Sequence, residues 1–165
     1  MKSSSLLVIL ILVLSVKTNP LRAQDFASVE GKFSISFPCE YEQEPTSEGE
    51  NTSKVSCVKD GQTFYIGYTI HDMEMNDSED QSFAQISLDS FIEAVSGNLI
   101  TQWDWQLGEN KGIKSVIALS ENQSILEYRV ILKDFLQYQL LVFAPTNTYS
   151  SKLADEFFKS FKITQ

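Results

Sequence analysis

Apolar and polar residues alternate most regularly between Ser124 and Pro145. Ile125, Glu127, Arg129 and Ile131 share one parity; Leu126, Tyr128, Val130 and Leu132 share the other. Beyond a Lys133-Asp134 reversal, Leu136, Tyr138, Leu140 and Val142 alternate with Gln137, Gln139, Leu141 and Phe143. Strand side chains point to opposite faces at every second residue, so each arm is predicted to be a strand and the pair a hairpin. The second face carries several apolar groups as well, which predicts a central position in a sheet covered on both sides.

The same reading extends along the chain. Phe33, Ile35 and Phe37 alternate with Lys32, Ser34 and Ser36, a half-buried strand ended by Pro38. An acidic loop over 40–51 leads to a strand over 54–58, the turn signal Asp60-Gly61, and a strand carrying Phe64, Ile66, Tyr68 and Ile70. If strands 33–39 and 54–58 are neighbours, Cys39 and Cys57 fall on one face with Phe33, Ile35, Phe37 and Val55. After a charged connection, residues 82–96 set Phe83, Ile86, Leu88, Phe91, Ile92 and Val95 at helical spacing, with Gly97 as the stop. Strands are predicted over 99–107 and 113–119. Ser150 or Ser151 caps a last helix with the stripe Leu153, Ala154, Phe157, Phe158 and Phe161. The order β-β-β-α-β-β-β-β-α predicts an α+β fold: about seven strands in a mostly antiparallel sheet, with helices packed on its faces as an α/β/α sandwich.

The N-terminus changes the compartment. Met1-Lys2, the apolar run 6–14 and the small-residue end at Ala23 describe a secretory signal peptide over 1–23 that leaves 24–165 as one domain. The run is too short to span a bilayer comfortably, so no membrane span is expected after cleavage. The whole chain has 22 acidic residues against 13 Lys and Arg, and the leader removes Lys2, Lys17 and Arg22 but no acid. Such a surface repels phosphate backbones, which argues against nucleic-acid partners, and it favours encounter with a basic secreted or envelope protein.

Gly31-Lys32-Phe33-Ser34-Ile35-Ser36-Phe37-Pro38, Phe64-Tyr65-Ile66-Gly67-Tyr68, Tyr138-Gln139-Leu140-Leu141-Val142 and Phe157-Phe158-Lys159-Ser160-Phe161-Lys162 resemble stretches of small exported bacterial domains of the PsbP-like kind. These domains share their fold with the photosystem II extrinsic protein PsbP and a Ran-binding nuclear-import factor. The resemblance implies a central antiparallel sheet between helices, a bacterial periplasmic or secreted location, and a fold whose relatives bind proteins or metal ions. Its motifs are core-packing patterns, so no site residue is carried over by it.

Candidate chemistry is sparse. Cys39 and Cys57 are the only cysteines, and in an exported chain their one pairing is a disulfide; the alternative is two buried thiols. His71 is the only histidine, which excludes His-rich zinc motifs and reads as an exposed loop residue. No nucleophile elbow or phosphate-cradling glycine loop is present. Asp72, Glu74, Asp77, Glu79 and Asp80 could supply oxygens to calcium, the one cofactor to weigh. The alternative is a solvated acidic segment favouring the next helix's N-terminus. Trp103 and Trp105 fall on one strand face, either as core or as a binding platform. Glu127 and Arg129 share a face within an apolar hairpin, where pairing is the expected role. The sequence therefore points to a non-catalytic binding domain for a protein or small ligand. The alternatives are a periplasmic hydrolase using carboxylates that no spacing singles out, or a divalent-cation-binding protein.

Overall fold

The computed structural model describes residues 23–44, 51–72, 77–119 and 123–164, with the backbone alone for 77–80. The signal peptide expected over 1–23 lies almost wholly outside the described residues. The elements are β1 (Gln24–Ser28), β2 (Phe33–Phe37), β3 (Glu42–Gln43), β4 (Thr52–Lys59), β5 (Gln62–Ile70), α1 (Asp77–Ala94), β6 (Asn98–Leu107), β7 (Asn110–Leu119), β8 (Ser124–Lys133), β9 (Leu136–Pro145), α2 (Ser151–Ser160) and β10 (Lys162–Ile163). Seven strands form one antiparallel sheet in the order β3-β4-β5-β9-β8-β7-β6, and β1-β2-β10 form a second.

The β8–β9 hairpin is central, as its two-sided apolar pattern requires. Its turn is Asp134-Phe135, one residue later than the alternation predicts, because Lys133 still pairs with Leu136. Asp134 takes the positive φ of 54° that the reversal needs. At Asp60-Gly61 both residues have positive φ, 52° and 79°, and the flanking Lys59 and Gln62 pair directly. This is the backbone of a tight hairpin whose twist matches its strands.

One face of the large sheet is covered by α1. Ala84 and Leu88 pack there on Ile113, Ile117, Leu126, Tyr128, Val130 and Leu132, and Phe91 stacks on Tyr128 at 4.4 Å. The helix begins at Asp77, five residues before the apolar spacing starts, since a helix's first turn does not have to contact the core. At its end the positive φ (49°) belongs to Ser96 rather than Gly97.

The opposite face is covered by α2 together with the small sheet. Phe33 and Phe37 meet Phe157 and Phe161 over Phe64, Ile66, Tyr138, Leu140 and Val142. Ser150 is the N-cap of α2 and accepts a hydrogen bond from the Leu153 amide at 3.4 Å. The buried Gln62 side chain fixes that entry by accepting from the Ser150 amide at 2.8 Å and donating to its carbonyl at 3.2 Å.

The strand at 33–37 is not beside the strand at 52–59, the arrangement on which the shared cysteine face depended. β2 belongs to the small sheet, between β1 and β10. The disulfide between Cys39 and Cys57 forms nonetheless, with Cα atoms 6.0 Å apart, and joins the chain just past β2 to β4 of the large sheet. No helix among the described residues is long and apolar enough to cross a membrane.

Candidate binding face on β6, β7 and β8

Cross-strand register builds a row of side chains on the α2-side face at the open end of the sheet. Trp103 of β6 pairs with Lys114 of β7, Lys114 with Arg129 of β8, and Arg129 with Leu140 of β9. The neighbouring rows begin Trp105–Gly112–Ile131 and Thr101–Val116–Glu127. Directly paired residues share a face, so these side chains form one surface that runs from the sheet edge to the core.

The two tryptophans divide on this surface. Trp105 is buried against Phe161, with ring centroids 6.3 Å apart, whereas Trp103 is half exposed with the Lys114 ammonium 5.3 Å above its ring. The register puts both on one face, but α2 and the residue after it cover only the inner one. Gly112 lets this corner close. A Cβ there would lie 2.2 Å from the Val130 carbonyl oxygen and 3.0 Å from the Ile131 Cα, both backbone atoms.

Arg129 sits where the open surface meets the core. Phe158 of α2 lies 3.9 Å from the guanidinium and the Trp105 ring 5.5 Å away, so the cation is flanked by aromatic π-systems. Glu127 approaches to 3.9 Å, which is ion-pair range but beyond a hydrogen bond. Its Oε1 is occupied by the Tyr149 hydroxyl, which donates to it. No hydrogen bond to the guanidinium occurs among the described residues, and Nε is sealed from solvent without a partner. The Arg129 side chain keeps 15% of its surface open. Burial lowers its pKa, against the opposing pull of Glu127, Asp155 and Tyr149. Burial, the bond to Glu127 and that carboxylate's charge raise the pKa of Tyr149.

The other expected sites fare differently. Asp72 is exposed in a bend after β5, and Glu74 lies outside the described residues. Asp77, Glu79 and Asp80 belong to the first turn of α1 rather than to a loop. His71 is partly buried rather than a free loop residue. Its Nε2 is 2.8 Å from Gln137 Oε1, and Gln137 Nε2 donates to Ser87 Oγ at 2.9 Å, tying β5 and β9 to α1. A groove of about 350 Å³ beside the small sheet is lined by Asp25, Ser34, Ser36, Ser160 and Lys162. Its polar groups largely satisfy one another: the Ser36 hydroxyl donates to Asp25 at 2.5 Å and the Ser36 amide to Ser160 at 2.9 Å.

Sequence reasoning singled out the tryptophans and noted the Glu127/Arg129 pair, but missed Lys114, Tyr149 and Phe158 as parts of the same face. One available signal was that Arg129 is the only arginine in 24–165, set within an apolar strand.

No protein-family model and no curated protein sequence matches the chain. Among solved structures, the chain is similar to the solution structure of cyanobacterial PsbP (CyanoP) from Synechocystis sp. PCC 6803. The TM-score is 0.63 at 9% identity, covering 85% of this chain and 91% of that one. A crystal structure from Bacteroides thetaiotaomicron VPI-5482 aligns with a TM-score of 0.49 at 12% identity, over 88% of this chain and 50% of the other. At such identities the likeness is one of architecture alone, and the chain has a PsbP-like fold.

Proposed function

We propose that residues 24–165 act, after removal of 1–23, as an exported, non-catalytic binding domain that contacts a protein partner through β6 and the face beside it. One observation carries this reading. β6 is an edge strand of ten residues, and it presents the exposed large apolar side chains Leu99, Ile100 and Trp103. An edge strand carries backbone donors and acceptors that no neighbour uses, and an extended partner segment can pair with them. Edges are commonly guarded by Lys or Pro; β6 has neither, and its single charge is Asp104, held by Gln81 at 2.9 Å. A bulge between Leu99 and Thr101 is its only irregularity, leaving the run from Thr101 to Leu107 in regular register.

Two further features support the reading. The disulfide suits an oxidising compartment such as a periplasm or the cell exterior. The acidic balance favours a partner of basic overall charge, which would be drawn in electrostatically. Hydrogen exchange tests the proposal on the mature protein, with and without peptides selected against it from a displayed random library. Protection over 98–107 is the expected result, abolished by Ile100→Lys with Trp103→Lys. Protection confined to the α1 side, with 98–107 exchanging unchanged, would refute it.

A further inference from the structure

The reading above leaves open what chemistry the face recognises, and Arg129 answers that question. A guanidinium carries five donors in a planar fork. In folded proteins buried polar groups nearly always find a partner. Here none of the described residues hydrogen-bonds the fork; Nε is sealed from solvent, so a ligand would meet the two terminal amino groups through the 15% of the side chain that stays open. Neither nearby carboxylate hydrogen-bonds the fork: Glu127 accepts from Tyr149 through Oε1 and leaves Oε2 at 3.9 Å from the guanidinium, and Asp155 accepts from Lys159 at 3.2 Å. The side chain is held against Phe158, 3.9 Å from the guanidinium, with the Trp105 ring 5.5 Å away, before any ligand arrives. Lys114, its cross-strand neighbour, adds a second cation on the open side, above the half-exposed Trp103.

We propose that Arg129 is a preorganised receptor for a carboxylate of the bound ligand, with Lys114 as the auxiliary cation and Trp103 as the apolar wall. A carboxylate is planar and matches the terminal edge of the guanidinium, its two amino groups, with two parallel N–H···O bonds that leave the sealed Nε untouched. As a monoanion it meets less repulsion from Glu127 and Asp155 than a phosphate dianion would. Lysine would not substitute, because an ammonium is a point charge without the fork or the stacking plane. This inference rests on the proposal that the β6–β8 face binds a ligand. A carboxylate on a partner of basic overall charge is consistent with it, because net charge steers encounter and the local pair sets register.

Because Arg129 is the only arginine in 24–165, its Nε–H gives a single assignable signal in a proton–nitrogen NMR spectrum of the mature protein. The probes are acetate, a tripeptide with a free C-terminus, its C-terminal amide, and the same amide bearing one glutamate. Chloride and inorganic phosphate at matched ionic strength serve as controls. The expected result is a saturable shift of the Nε–H with the carboxylate probes and none with the uncharged amide. Comparing the free terminus with the glutamate side chain tells which source of carboxylate is preferred. Arg129→Lys should abolish the saturable response in the Trp103 and Lys114 signals, and Glu127→Gln, which removes the competing charge, should tighten acetate binding several-fold. An Nε–H that moves no further with carboxylates than with chloride, or that responds more strongly to phosphate, would overturn the inference. If selected peptides still protected 98–107 in that case, the binding-domain reading would survive without it.

Discussion

Reducing the Cys39–Cys57 bridge is the perturbation whose size follows most directly from the structure. The bonded residues are 18 positions apart, and the bridge ties the end of β2 to β4, which belong to different sheets. In the chain-entropy model the cross-link removes 2.1 + 1.5R ln n cal/mol/K from the denatured chain, so a loop of this length is worth about 3 kcal/mol at room temperature. For a domain of this size 1 kcal/mol moves the melting temperature by roughly 3 °C, so reduction is expected to lower it by about 10 °C. The reduced protein should still fold, because Phe33 and Phe37 remain packed on Phe157 and Phe161 between the sheets. Differential scanning calorimetry with and without reductant, at equal protein concentration, measures the effect. The Cys39→Ala/Cys57→Ala double variant provides the comparison. Both sulfurs are buried, so it should melt somewhat below the reduced wild type through lost packing. Oxidised and reduced melting temperatures within about 3 °C of each other would show that the aromatic contacts alone set the docking of the two sheets, contrary to the entropic estimate.

Three other perturbations test separate parts of the account. Gly112→Ala forces a Cβ against the backbone of β8 and should cost about 1–3 kcal/mol in denaturant unfolding, whereas Gly67→Ala meets only the Tyr65 side chain and should cost less. Equal losses would contradict the close approach of β7 to β8. In acrylamide quenching, Trp105→Phe should leave accessible emission from the half-exposed Trp103, and Trp103→Phe should leave emission that is shielded. The reverse pattern would remove Trp103 from the binding face. At alkaline pH, burial followed by the Glu44 charge pushes Tyr65 from 10.0 up to about 12, and burial first of all raises Tyr128, Tyr138 and Tyr149. The folded chain then holds phenolic protons that the unfolded chain releases, so this stability is intact below pH 10 and is lost as pH rises through the folded values. Tyrosinate absorbance should appear together with loss of circular dichroism; full phenolic titration near pH 10 with an unchanged fold would refute it.

Alternation and helical spacing, read residue by residue, were enough to locate the hairpin at Ser124–Pro145, the strand at 33–37, the cores of β4 and β5 (54–58 and 64–70), both helices, and the α+β arrangement with helices on opposite faces. These properties are local: a side chain's parity or helical phase fixes which face it serves wherever the element is placed. The two-residue strands β3 and β10 carry no periodicity to read and exist through their partners, Ser56 and Val55 for one and Ser34 and Phe33 for the other. The disulfide was legible because two cysteines allow only one pairing.

Partners distant in the chain were not legible, because strand order depends on long-range pairing that no window of sequence encodes. That β2 leaves the large sheet for β1 and β10, while β9 takes β5 as its second neighbour, is a tertiary outcome. So is the division of the tryptophans: Trp103 and Trp105 have the same parity and similar chemistry, and only the placement of Phe161 and Arg129 buries one of them. The sequence alone determined that Arg129 stands among apolar neighbours in a strand. Packing decided that Phe158 and Trp105 would lie against its guanidinium, that Tyr149 would bond Glu127, and that Glu127 would come no nearer to it than 3.9 Å, because a side chain's partners depend on which elements close over it.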